Sequence, residues 1–185
     1  LGGKSITNVD YDVTQALYNP ATINVDMDNQ LAVNYSSYLG DISYGTAAYA
    51  YTWDRRIQTF HIGMTYVNYG SFDGYDENGM STGTFTGNEA ALSFGHARQI
   101  GYSDFYAGAN IKFITSKLEQ YTSLGFAIDA GIIYINEDID FNASLVIKLL
   151  FTCKSLVTNS LLIFNCLIFA FVANNSFSTI KLLFT

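Results

Sequence analysis

The clearest pattern in this chain is alternation with period two. Between residues 105 and 148 three alternating runs follow one another. Phe105, Ala107, Ala109, Ile111 and Phe113 place apolar groups on odd positions, with Tyr106, Gly108, Asn110 and Lys112 between them. Leu124, Phe126, Ile128, Ala130, Ile132 and Tyr134 place them on even positions, against Gly125, Ala127, Asp129 and Gly131. Phe141, Ala143, Leu145 and Ile147 then alternate with Asn142, Ser144 and Lys148. Successive side chains of a strand point to opposite faces. Each run therefore predicts a strand with one apolar, aromatic face and one polar or very small face. A sheet of this kind is either half-buried in a soluble protein or the wall of a membrane barrel.

The same reading extends toward the N-terminus. It predicts strands over 31–39, 42–53, 57–69 and 88–98, making seven with the three above. Tight turns fall at 40–41 and 54–56, a long polar loop at 70–87 and an intermediate connection at 116–122. Residues 1–30 read as an irregular lead-in with one short helix at 13–18, and Asn19-Pro20-Ala21 is a turn signal. Short turns alternating with longer connections match outer-membrane barrels, with the short turn at 40–41 as the one break. Tyr51 and Trp53 beside a short turn suit an interfacial aromatic girdle. Gly63, Gly95, Gly108, Gly125 and Gly131 all fall on the polar face. There a glycine leaves room for a strand bend or for a segment lying against the wall.

Composition sharpens the choice between the two sheets. Only 14% of residues are charged and 16% are aromatic, with 14 Tyr, 14 Phe, 15 Gly and a single Pro. Ordinary soluble domains carry about 25% charged residues. A soluble β-sandwich would need more Lys and Glu on its wet face, so the expected fold is all-β, an antiparallel transmembrane β-barrel. The net charge of −7 and the lack of a basic stripe argue against nucleic acid as a partner. Leu1-Gly2-Gly3 opens with no basic start and no apolar core of a signal peptide, so the chain is either cytosolic or has had its signal removed. The two cysteines, Cys153 and Cys166, lie late in the chain, which leaves 1–148 without a disulfide or a Cys metal site.

Residues 149–185 change character. They contain no Gly, Tyr, Asp or Glu, and Lys154 and Lys181 are their only charges. Their alternation is poor, so they are expected to be an aberrant apolar tail, not more wall. A shifted reading frame or read-through would produce such a break. A membrane anchor over 156–173 is the alternative, although Thr158, Asn159, Ser160 and Asn165 interrupt it.

The chemistry-bearing residues are few. Lys112 and Asp129 share the polar face of neighbouring strands, with Asn110 beside them. They are candidate contacts to a lumen or to a segment plugging it, unless a wet lumen simply solvates them. Asp73, Asp76 and Glu77 in the 70–87 loop are candidate contacts to an outer partner. Their order does not match an EF-hand, so calcium is not favoured. His61 and His96 lie on different strands without the convergent ligands that a metal needs. No nucleophile elbow, P-loop or dinucleotide fingerprint is present. No enzyme activity, cofactor or metal is expected.

Several collinear pieces of residues 1–148 resemble the PorV/PorQ family of type IX secretion proteins, outer-membrane barrels similar to the FadL transporters. They are Gly108, Asn110 and Lys112; Tyr121, Gly125, Ala127, Asp129, Gly131 and Tyr134; Leu1-Gly2-Gly3; Asn19-Pro20-Ala21; Tyr44-Gly45; Tyr49-Ala50; and Asn68-Tyr69-Gly70 with Phe72. The spacing of Asp76, Gly79, Thr82-Gly83 and Phe85 also matches, as does the run from Leu118 to Ser123. The resemblance implies a barrel of about fourteen strands with residues 1–30 as an N-terminal plug. The seven strands of 31–148 would be about half of that wall, a C-terminally truncated relative, and half a barrel leaves open edges. The resemblance also implies the outer membrane of a Gram-negative bacterium and lipid as surroundings. It implies type IX partners such as PorU, PorV and PorZ, and a role in exporting, processing or attaching cargo at the cell surface. The alternative is a FadL-like transporter of hydrophobic small molecules, with residues 1–30 as its hatch.

Overall fold

The computed structural model describes residues 7–38, 40–54, 58–101, 103–136, 141–154, 161–173 and 176–182. Leu1-Gly2-Gly3, the Arg55-Arg56 turn and parts of the tail (155–160, 174–175, 183–185) lie outside the described residues. Among the described residues nine strands follow in chain order: β1 (Leu31–Ser37), β2 (Ser43–Asp54), β3 (Gln58–Tyr75), β4 (Ser81–Gln99), β5 (Phe105–Leu118), β6 (Tyr121–Asn136), β7 (Phe141–Lys154), β8 (Leu161–Ala173) and β9 (Ser176–Leu182). Each pairs antiparallel with the next, giving one sheet in the order β1 to β9. The chain is thus all-β with a simple meander. Among the described residues β1 and β9 do not pair with each other, so the sheet is not closed into a barrel.

Four elements differ from the sequence expectation, each for a physical reason. Residues 70–87 are not a polar loop but the far end of the β3–β4 hairpin. Phe72 pairs with Phe85, Asp73 with Thr84 and Gly74 with Gly83, and the two Phe rings stack at 5.4 Å. Thr82, Thr84 and Thr86 are β-branched and hold a strand despite being polar. The real turn is Asp76–Met80, where the Asp76 carboxylate accepts from the amides of Asn78 (2.9 Å) and Met80 (2.7 Å). The connection at 116–122 likewise contracts to Glu119-Gln120, with Glu119 in the left-handed region at φ 57°.

The third difference is the tail. The backbone does not leave the sheet at Lys148: β7 runs on to Lys154, and residues 161–173 and 176–182 add β8 and β9. Leu161–Ala173 is therefore a strand where an anchor helix had been the alternative. Clean alternation is sufficient for a strand but not required, since a continuous apolar run also forms one.

The lead-in holds three short 3-10 turns, Val13–Leu17, Pro20–Thr22 and Val25–Met27, where one helix had been expected. An Asx side chain starts each one. Asp12 accepts from the amide of Thr14, Asn19 from that of Ala21 and Asn24 from that of Asp26. These local bonds compete with a continuous helix and explain the broken trace. Val13, Ala16, Leu17, Ile23 and Met27 of this segment are buried against one face of the sheet. Val13 and Met27 pack with Ala48 and Ala50, and Ala16 and Ile23 pack with Ala97.

The opposite face is bare. Leu31, Val33, Trp53, Phe60, Ile62, Met64, Leu92, Phe94, Ile111, Phe113, Leu124, Phe126 and Ile132 are all exposed, Trp53 at 77%. The register places them side by side: Ile62 opposite Phe94, Phe94 opposite Ile111, and Phe113 opposite Phe126.

Candidate functional site

The covered face carries two adjacent cross-strand rows that fix where the N-terminal segment lies. One row is small: Thr52, Thr59, Ala97, Gly108, Gly131 and Val146 are register partners in sequence across β2–β7. The next row is polar: His61, Gly95, Asn110, Asp129 and Lys148 run across β3–β7. Ser93 and Lys112 pair with each other one step further along. The period-two alternation brings all these side chains to the same face.

Pro20 and Ala21 rest on the glycines of the small row. A Cβ on Gly108 would meet the Pro20 carbonyl carbon at 2.5 Å and the Ala21 nitrogen at 2.9 Å, with the Pro20 oxygen nearer still. A Cβ on Gly131 would meet Asn19 Oδ1 at 2.5 Å, and one on Gly63 would meet Leu17 Cδ2 at 2.5 Å. These positions are glycine because another piece of backbone or side chain occupies the space.

The polar row ties the segment down. The first 3-10 turn ends with carbonyls that have no partner within the turn. Asn110 Nδ2 donates to the Ala16 carbonyl at 2.7 Å, and Lys112 Nζ donates to the Leu17 carbonyl at 2.7 Å. Lys112 also pairs with Asp129 Oδ2 at 2.5 Å, and Lys148 Nζ stands 4.0 Å from the same oxygen. The Asp129 side chain is 3% exposed, so it lies between two cations away from water. A buried carboxylate is tolerated when it is paired and hydrogen-bonded in this way. Further along, Asn19 Nδ2 donates to Ser144 Oγ at 2.8 Å.

Lys112, Asp129 and Asn110 thus come together at one place, against the N-terminal segment. Asn19, Ser144 and His61 belong to the same seam, a role the sequence does not show: Asn19 reads only as part of a turn signal, His61 only as a histidine without convergent ligands, and Ser144 only as a polar position of an alternating run. A signal for Ser144 did exist, since it is a polar position in phase with Asn110 and Asp129. His61 lies beneath Val13, whose carbonyl faces it, yet neither buried ring nitrogen makes a hydrogen bond of good geometry. His96 sits on the opposite face against Phe60, with ring centres 4.9 Å apart. The two histidines cannot share a ligand.

The acidic candidates do not form a cluster. Asp73 lies within the β3 ladder opposite Thr84, Asp76 is engaged by the turn amides, and Glu77 is exposed at the tip. Those amide donors hold the Asp76 carboxyl below the usual carboxylate range. The arrangement as a whole suits the holding of a segment. No family model, no curated protein and no solved structure matches this chain.

Proposed function

We propose that this chain forms the wall of an outer-membrane β-barrel whose lumen side is plugged by residues 7–30. Its role would be the one implied by the PorV/PorQ-like residues, a structural and binding part in exporting, processing or attaching secreted proteins at the cell surface. The single observation carrying the membrane part is the contrast between the two faces. One presents a continuous field of exposed Leu, Ile, Phe, Tyr and Trp side chains. Exposed apolar surface of that extent marks an interaction with lipid or protein. The other face buries Asn110, Asp129, Ser93, Ser144 and His61 under its own N-terminal segment.

Strand dimensions agree with this reading. β2, β5, β6 and β7 contain 12, 14, 16 and 14 residues, enough for the ~9–11 that a tilted strand needs to cross a bilayer. Trp53, Tyr51, Phe60, Phe105 and Tyr134 gather at the end of the sheet at which β2 passes to β3, β4 to β5 and β6 to β7, where an interfacial girdle belongs. The alternative, FadL-like transport, requires an apolar path beside the plug. The polar row under the segment favours the secretion role instead.

Two measurements test the proposal. Carbonate washing of membranes should leave the full chain in the pellet, and release without detergent would sink the membrane reading. Deleting the gene in its host should leave secreted cargo unprocessed or unattached at the surface. Normal cargo display with impaired uptake of fatty acids would favour transport.

A further inference from the structure

On the bare face the outward side chains enclose an apolar groove of about 640 Å³, within the ~300–1,000 Å³ of small-molecule sites. Its floor is Ala90 and Thr115, a register pair on β4 and β5. Met64, Leu92, Phe113, Phe126 and Phe151, register partners in sequence across β3–β7, wall it as one row, and Leu124 continues the floor beside Thr115. Phe126 stacks on Phe151 with ring centres 5.3 Å apart and tilts against Phe113 at 6.2 Å, so the wall is a continuous aromatic run. The groove exists because the outward positions Ala90 and Thr115 are small where their neighbours are large.

What lies at the mouth of the groove identifies the occupant. Two residues beyond Thr115 on the same outward face is Lys117, about 7 Å further along the strand. Its register partners are Asn88 on β4 and Thr122 on β6, and Asn88 in turn faces Asn68 on β3. A row of Asn68, Asn88, Lys117 and Thr122 therefore crosses the face immediately above the apolar field. Lys117 is exposed, and it makes no ion pair among the described residues. An apolar slot capped by one free cation and a line of neutral hydrogen-bonding side chains matches a lipid, with its acyl chain below and its anionic head above.

We infer that the groove lined by Met64, Leu92, Phe113, Leu124 and Phe126 holds an acyl chain of a membrane lipid whose anionic phosphate headgroup sits on Lys117, Asn88 and Thr122. This rests on the membrane reading of the bare face. It adds that one lipid is retained at a defined place instead of a uniform lipid annulus.

The full chain is reconstituted in nanodiscs of phosphatidylcholine doped with phosphatidylglycerol, and bound lipid is read by native mass spectrometry after gentle delipidation. The wild type should retain one phosphatidylglycerol. Thr115→Trp, which fills an outward-facing site, should lose it. Lys117→Gln should weaken the preference for phosphatidylglycerol over phosphatidylcholine roughly fivefold, the effect of one cation near a membrane surface. Equal retention in all three proteins would overturn the inference, as would insertion with no lipid retained. Failure to insert into nanodiscs at all would instead refute the membrane reading, so the two failures are distinguishable.

Discussion

Gly108→Ala should lift the N-terminal segment from the sheet. The backbone at Gly108 is not in the left-handed region, so an alanine is acceptable to the strand itself. The collision is with the segment. The new Cβ would sit 2.5 Å from the Pro20 carbonyl carbon and 2.9 Å from the Ala21 nitrogen, and both are backbone atoms that cannot rotate aside. Forcing an extra carbon into such a contact costs about 1–3 kcal/mol. The tethers opposing displacement are the donations from Asn110, Lys112 and Asn19, each worth about 1 kcal/mol net, somewhat more for the charged donor. Strain and tether are thus of the same order. The open population should rise roughly 5–150-fold, the range corresponding to 1–3 kcal/mol. Limited chymotrypsin digestion reads this, because Tyr11 is exposed while Leu17 is buried and Tyr18 half-buried. Where closing outpaces cleavage, the cutting rate tracks the open population. Gly45→Ala is the control, since the nearest atoms there are 3.8 and 3.9 Å away. Equal cutting at Leu17 and Tyr18 in Gly108→Ala and wild type would refute the reasoning. So would cleavage spread evenly through the strands, which would mean global unfolding.

Three further outcomes follow from other parts of the structure. Lys112→Met should leave the Asp129 carboxylate with only the more distant Lys148, costing about 3 kcal/mol; adding Asp129→Leu should recover most of this in urea titrations, and no recovery would contradict a buried pair. Asp76 carries a folded-state pKa below its unfolded value because the Met80 and Asn78 amides donate to it. Its contribution is therefore present above the unfolded value and lost as pH falls through the depressed one; the protection factor of the Met80 amide, its exchange rate set against the intrinsic rate at each pH, should fall across that acid range, and a constant protection factor would argue against the turn. Ile111→Lys on the bare face should oppose folding into vesicles by about 2–4 kcal/mol if that position lies near the bilayer midplane; Tyr75→Lys in the hairpin extension should change little, and equal effects would count against a lipid-facing wall.

How far the fold could be read from the sequence depended on how local each cause was. Alternation in 105–148 is a property of neighbouring residues, and it placed three strands and both of their faces. Residues 70–87 misled because polarity stood in for loop, although Phe72 and Phe85 face each other across the ladder and the threonines are good strand formers. The tail misled in the opposite sense, because Leu161–Ala173 is apolar on both phases and so carries no alternation to read. The 3-10 turns were hidden since their stops, Asn19 and Asn24, act through local side-chain bonds and not through periodicity. At the candidate site Lys112, Asp129 and Asn110 were legible as polar exceptions sharing a face. Their purpose was not, because the carbonyls of Ala16 and Leu17 that they bind become acceptors only when the first 3-10 turn ends there. Gly108 shows the limit most clearly. Its alternation phase assigns it to the inner face, but nothing near it in sequence requires glycine. The requirement comes from Pro20, and Asn19-Pro20-Ala21 read alone is only a turn. The two make sense together, as a segment and the gap left to receive it. A substitution that fills the gap therefore tests the docking of residues 7–30 without touching the segment itself.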